Sequence, residues 1–359
     1  MAALTAAELA NVANAALDYY IEKGTVYAQS LQDKPLLAAM EKNAKKFPGG
    51  KGDVSLAVKG AYTTTVEGYK ATDTVTYANP TNIQRVNYTW REHHAGISVT
   101  LTELKHDGIS VTDSTTGENT SSASGRESTM LANLLEDKLD DMMEGYARGM
   151  NDFLYGDGTA DADALAGIQT IIADDPAATN AAVGGLRTDQ NTWWRNRSNF
   201  TSSGSDIAVT AGGQELTDKL HTEIRQLRRY GGRPSIAVCG SDFLDRLATE
   251  LKNKGNYTQT GWSGGGKSTD FSIGQITYEG IKFEYDPTLD DLTISSKSPS
   301  KRCYIIDPTK LYLMYMDGEK MVRHSPARPH DSYVIYRAVT TTAVLCASQL
   351  NCHGVYEIA

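Results

Sequence analysis

The sequence predicts an α+β protein whose strands are mostly antiparallel, and three observations carry that expectation. One stretch, Ser124 to Gly156, holds a helical period over about thirty residues. Runs at residues 54–58, 86–90 and 97–101 alternate apolar and polar side chains with period two. Helical and extended segments do not alternate regularly, so a doubly wound parallel sheet is not expected.

The long helix is the organising element. Leu131, Leu135, Met142, Tyr146, Met150 and Phe153 recur at steps of three, four or seven and form one apolar stripe. Ser124 and Glu127 have the spacing of a capping box. Gly156 follows the last periodic residue and is expected to close the helix in a left-handed conformation. At about 1.5 Å per residue the rod is roughly 45 Å long, against about 11 residues for an average helix. Glu136, Asp137, Asp140, Asp141 and Glu144 line much of the other side, so the expectation is a strut with one buried and one acidic face.

Composition limits what the rest can be. With 359 residues, 40% hydrophobic and 22% charged, the chain can bury a core in one large domain or in two or three smaller ones. No apolar run approaches the ~20 residues that span a bilayer, and the first twenty residues lack a basic start and an unbroken apolar core. A cytoplasmic site of synthesis is therefore expected. The net charge of −9 argues against gripping nucleic acid through a broad basic surface, though not against enclosing it. The four cysteines, Cys239, Cys303, Cys346 and Cys352, have no C-x-x-C spacing and are expected to be buried free thiols.

In chain order, Thr5 and Glu8 form a second capping box ahead of a short amphipathic helix reaching Ile21. From Thr25 to Gly50 the periodicity weakens, and this arm is expected to lie on another surface because it cannot bury much against itself. Val54, Leu56 and Val58, then Val86, Tyr88 and Trp90, read as the two strands of a long hairpin. Its tip, Thr63 to Asn82, is rich in Thr, Tyr and Gly. A lone hairpin is marginal in water, so this one needs a partner surface. Ile97, Val99 and Leu101 form a third strand. After the long helix come an acidic turn, a brief apolar run at Ile168–Ile172, and Trp193-Trp194-Arg195. A helix over 216–230, a strand over 235–239 and a helix over 241–251 follow. Strands at 273–278, 281–285, 303–306, 311–316 and 333–346 complete the set.

The motifs that carry chemistry elsewhere lack their setting here. Gly261 to Ser268 matches G-x-x-x-x-G-K-[ST] letter for letter, which would make Lys267 a phosphate ligand. No strand reads before it and no helix after it, so a flexible glycine-rich loop is expected; a P-loop nucleotide-binding protein is kept as a rival. His93 and His94, adjacent on a strand, point to opposite faces and cannot readily share a metal ion; these, and the histidine of Cys352-His353, read as solvent-facing or interface groups. Asp157, Asp161 and Asp163 lack the glycine and terminal glutamate of a calcium loop. Gly261 to Gly265 also spells G-x-S-x-G, but the strand before it and the helix after it that a nucleophile elbow needs do not read here. No catalytic, cofactor-binding or metal residue is assigned. Trp193, Trp194, Arg195 and Arg197 could stack on bases, but read better as a packing or interface anchor.

An arm, a long hairpin, a long acidic-backed helix, a compact α+β block and returning strands together resemble the major capsid protein of tailed bacteriophages, the HK-ninety-seven-like fold. The resemblance rests on the order and character of elements over nearly the whole chain, without a signature motif. It implies an N-terminal arm at 1–50, an E-loop hairpin at 51–104 and a P-domain at 105–183 whose spine helix spans about 124–156. It further implies an A-domain at 184–307 and strands returning to the P-domain at 308–359.

What the resemblance implies for function is a structural protein, not an enzyme, that self-assembles into hexamers and pentamers of an icosahedral shell around double-stranded DNA. Its partners would be other copies of itself, a separate scaffolding protein, a portal and a decoration protein. DNA would be enclosed without sequence-specific binding, no membrane would be involved, and assembly would take place in the bacterial host cytoplasm. Only about fifty residues precede the hairpin, so no built-in scaffolding extension is expected. Subunit-interface candidates are Tyr62, Tyr69, Tyr77, Trp90, Trp193, Trp194 and Arg195. Some members cross-link a hairpin lysine to an asparagine with a glutamate as base, though most do not; Lys59 or Lys70, Asn351 and Glu357 are the residues available for it here. An encapsulin-type nanocompartment, built on the same fold around protein cargo, is the nearest rival. A monomeric carbohydrate-binding or adhesion module would leave the apolar face of the hairpin unexplained.

Overall fold

A computed structural model describes residues 4–5, 34–49, 52–60, 62, 64–74, 77, 82–100, 102–103, 111–112, 125–159, 161, 163–199, 206–210, 212–253, 276–293, 298–324 and 334–359. The short strand Leu4–Thr5 (β1) runs parallel to Val111–Thr112 (β6). The rest of the expected N-terminal helix lies outside the described residues.

The arm contains a helix that its sequence hid. Pro35–Lys42 (α1) starts on a proline, which suits a first helical position because no amide donor is needed there. Leu36, Leu37 and Met40 are completely buried. Lys45–Phe47 (β2) then joins a sheet in parallel with the later strand Leu311–Met316 (β14). Two helical turns supply too few repeats for a periodicity argument, so the helix came as a correction to an arm without regular structure.

Asp53–Lys59 (β3) and Ile83–Thr89 (β4) form the expected hairpin, in antiparallel register from Asp53 opposite Thr89 to Lys59 opposite Ile83. Val54, Val58, Val86 and Tyr88 face inward and are buried. The base of the hairpin is thus covered by the chain's own core. Arg91–Thr100 (β5) pairs along its whole length with Val334–Ala347 (β16), joining residues more than two hundred positions apart.

The long helix is Gly125–Tyr155 (α2), 31 residues. Met142, Tyr146 and Met150 are buried as the stripe requires, and Leu139, Met143, Ala147, Leu154 and Tyr155 widen it. Leu139, Met142 and Met143 pack against Val339 of β16 and Ala95 and Ile97 of β5, so the helix lies across that sheet. The capping residue Ser124 lies outside the described residues. Gly156 is not left-handed: its amide bonds to the carbonyls of Asp152 and Phe153, and Gly158 takes the positive φ of 73°. Gly167 is required next to this helix end, because a Cβ there would sit 2.4 Å from the carbonyl oxygens of Phe153 and Leu154. Ile168–Ile171 (α3) is buried on the same core.

The two-residue strands Ala182–Val183 (β7) and Leu186–Arg187 (β8) flank Gly184 and Gly185, whose φ of 60° and 78° suit a tight hairpin turn. Arg197–Ser198 (β9), Glu215–Arg228 (α4), Ile236–Cys239 (β10), Ser241–Asn253 (α5), Ile276–Tyr278 (β11), Ile281–Tyr285 (β12), Pro287–Asp291 (α6) and Arg302–Ile306 (β13) follow. After β14 come Val322–His324 (β15), β16 and Gly354–Glu357 (β17). One sheet has the order β11-β12-β10-β13-β17-β9; the other runs β15-β16-β14-β2 with β5 on β16. Leu216, Leu220, Ile224, Phe243 and Leu247 of α4 and α5 pack on the six-stranded sheet in a core of their own. The segment 308–359 is therefore divided: β17 belongs to the six-stranded sheet, not beside β16. All four of its residues are buried, as an interior strand requires.

Candidate assembly surface

Among the described residues most of the exposed large apolar groups lie on the hairpin. Tyr62 is 81% exposed, Tyr69 71% and Tyr77 90%, with Val66 and Ile83 beside them in sequence equally open. Lone exposed apolar residues are ordinary, but five large ones on a single protrusion are not. Two backbone-directed bonds shape the tip: the Lys70 amide donates to Asp73 Oδ2 and the Asp73 amide to the Lys70 carbonyl, both at 2.8 Å. Lys59 Nζ stands 4.5 Å over the Tyr62 ring. Val66 and Ile83, large β-branched residues in a polar stretch, add to the exposed tyrosines beyond the candidates that the sequence offers.

The base of the hairpin is anchored, which separates the tip from the body. The Asn87 amide donates to the Gly184 carbonyl at 2.9 Å, and Tyr88 OH donates to the Ala347 carbonyl at 3.1 Å. Burial pushes the Tyr88 phenol up. Trp193 lies against Gly60, where an added Cβ would come within 2.8 Å of its ring.

The tryptophans divide. Trp194 is 2% exposed, donates through Nε1 to the Val183 carbonyl at 3.3 Å, and is a core residue; its place among the interface candidates is corrected. Trp90 packs on the same core, with its ring centroid 6.0 Å from that of Phe47. Trp193 is half-buried between Gly60 and Trp194. The signal that separates them was not in the local sequence, since adjacent tryptophans look alike until the neighbouring elements are placed.

Arg195 donates from Nε and Nη2 to the carbonyls of Thr188 and Asp189, both at 2.6 Å, so its guanidinium is held in place. It lines a groove of about 820 Å³ together with Asp175, Arg197, Arg229, Tyr230 and Asn351. Arg197 makes a two-point contact with Glu223 at 2.8 and 3.1 Å. Burial pushes the Glu223 carboxyl up, but Arg197 and Lys219 outweigh it and hold the group below its ordinary value. This groove carries a positive excess on an acidic chain.

The cross-link candidates are not gathered. Lys59 and Lys70 are exposed on the hairpin, and Asn351 Oδ1 accepts from Gln349 Nε2 at 2.7 Å within the groove. Glu357 Oε2 is occupied by Arg302 Nε at 2.7 Å. The glycine-rich match around Lys267 lies outside the described residues. The elements on either side are helix α5 before and strand β11 after, the reverse of the strand-then-helix order that a phosphate loop uses. His93 is buried and stacks on Phe153 at 5.1 Å, whereas His94 is exposed, so the two face opposite ways. His93 and His353 are both buried, which corrects their reading as solvent-facing or interface groups. Among the described residues no three His, Cys, Asp or Glu side chains are placed to hold a metal ion, and no helix is long and apolar enough to cross a membrane.

Neither a family model nor a curated protein matches the sequence. Solved structures do match in fold. The cyanophage A-1(L) capsid asymmetric unit is similar at a TM-score of 0.62 and 13% identity, over 90% of this chain and 92% of that one. A chain of Mycobacterium phage Bobi gives 0.53 at 8% identity, over 89% and 90%. The capsid of a native GTA particle gives 0.51 at 13% identity, over 90% of each chain. The fold is that of phage capsid proteins. The exposed tyrosine tip and the arginine-lined groove are two surfaces left open among the described residues.

Proposed function

We propose that this chain is the major shell subunit of a phage-type icosahedral capsid, assembling through copies of itself into hexamers and pentamers that enclose double-stranded DNA. The observation that carries this reading is the anchored hairpin with an uncovered aromatic tip, on a chain whose fold is shared with capsid proteins. A tip of this kind gains by being covered by a neighbouring copy, as tyrosines supply large contact area at low entropic cost. In these terms residues 34–50 form the end of an arm, 51–104 an E-loop, α2 a spine helix, and the six-stranded sheet with α4 and α5 an A-domain. The shell subunit has no catalytic step; its work is geometric and additive over many contacts.

Negative-stain electron microscopy of the purified chain, with its mass from light scattering, tests this. Closed shells, or rings of five and six subunits, are expected, with nuclease-protected DNA in particles recovered from infected cells. Protein cargo in place of DNA would move the assignment to an encapsulin-type compartment. A chain that stays monomeric at high concentration with scaffold present, and binds Mg-ATP through Lys267, would overturn it. On a denaturing gel a single monomer band is expected; a ladder would direct attention to Lys59, Lys70 and Asn351.

A further inference from the structure

Cys239 and Cys303 stand directly opposite each other on the adjacent antiparallel strands β10 and β13, in the middle of the six-stranded sheet. Their pair exchanges no backbone hydrogen bonds. The next pair along is joined by the Gly240 amide donating to the Arg302 carbonyl at 3.0 Å, and bonded and unbonded pairs alternate in such a ladder. Unbonded pairs bring the Cα atoms to about 4.5 Å, inside the roughly 4.4–6.8 Å that disulfides span. The two sulfurs are 3.2 Å apart, and both thiols are free and fully buried. Packing alone asks for two small apolar side chains here, not for two sulfurs facing each other.

We propose that Cys239 and Cys303 form a latent oxidation site, which a peroxide converts into a cross-strand disulfide. One thiol, reacting as its thiolate, attacks a peroxide oxygen; the O–O bond breaks, leaving a sulfenic acid and one molecule of water. The second sulfur then attacks the first, the S–O bond breaks, and a second water leaves with the remaining thiol proton. Two electrons pass from the sulfur pair to the peroxide, and no other reductant is needed. Burial holds the Cys239 thiol well above its usual range and keeps oxidant away. The reaction therefore waits on opening of the sheet and proceeds on a population of locally unfolded molecules. Once formed, the bond ties together strands 64 positions apart and restricts the unfolded chain. The site is independent of the shell reading, since it lies inside one subunit.

The test uses the full chain, incubated with hydrogen peroxide, quenched, denatured, alkylated and mapped by mass spectrometry. The expected result is loss of two of the four thiols, with one dithiothreitol-sensitive peptide pair joining Cys239 to Cys303. Thiol loss should be several-fold faster in sub-denaturing urea, and the oxidised chain should melt several degrees higher than the reduced one. Four intact thiols after peroxide in sub-denaturing urea, sulfinic acid on Cys239 without a linked pair, or a disulfide through Cys346 or Cys352 would each overturn the proposal. Cys303→Ser should abolish the linked pair while leaving Cys346 and Cys352 alkylated; the wild-type peptide map decides the matter even if that variant folds poorly.

Discussion

At His353 the fold buries an imidazole completely, with Nδ1 accepting the Asp307 amide at 3.2 Å. Burial lowers its pKa to about 4, against the partial opposition of Asp307. The unfolded chain, with an ordinary histidine near 6.5, takes up the proton first as pH falls. Stability is therefore full above about pH 6.5 and is lost between there and pH 4, by about 3 kcal/mol for this one group. Urea midpoints at pH 7 and pH 4.5 should show the loss, and His353→Gln should make it markedly smaller. His93 is shifted in the same direction by burial and by Arg91, and adds to the effect. Arg302 is the second residue with large leverage. It is 1% exposed and donates to Asp174 and Glu357 at 2.7 Å and to Tyr304 at 3.0 Å. Arg302→Leu removes the cation that neutralises both carboxylates, and is expected to cost about 3–5 kcal/mol in equilibrium unfolding.

Elements explain which substitutions are felt within the subunit and which are felt only between subunits. Helix α1 is short, yet Leu36 and Leu37 sit at zero exposure against the main core. Leu36→Ala or Leu37→Ala should each cost about 2–5 kcal/mol, which is the range for a buried leucine leaving a cavity. The hairpin tip is the opposite case. Replacing Tyr62, Tyr69 and Tyr77 together by serine should move the melting temperature of the dissociated subunit by less than about 2 °C, since exposed positions contribute little to folding. The same triple change should slow or abolish particle formation followed by light scattering, because tyrosines at the centre of an interface carry about 1 kcal/mol or more each. Legibility in the sequence followed element length. The helix 125–155 and the strands 53–59 and 83–89 carry enough repeats to declare their period, and 311–316 reads as a strand from its unbroken apolar run. Helix α1 and the two-residue strands β7, β8 and β9 do not.

Among the described residues the six-stranded and five-stranded sheets are the largest, with α2 packed on the five-stranded sheet and α4 and α5 on the six-stranded one. The pairing of β5 with β16 and of β2 with β14 joins segments more than two hundred positions apart. Contacts of such sequence separation are slow to form, so refolding is expected to be slow, on the order of milliseconds to seconds or longer, and to expose the hairpin strands on the way. Stopped-flow tryptophan fluorescence after dilution from urea measures this, with Trp194 reporting burial in the main core.

The sequence by itself determined the α+β class, the long helix and the hairpin with its polar tip, because these follow from periodicity and residue type within a short window. Only the tertiary structure decided that Trp194 is core while the tip tyrosines are open, and that the last strand joins the six-stranded sheet. It also brought Cys239 to within 3.2 Å of Cys303. These outcomes depend on which distant segments meet, and register between strands is set by the shared burial of both faces, which no local pattern contains.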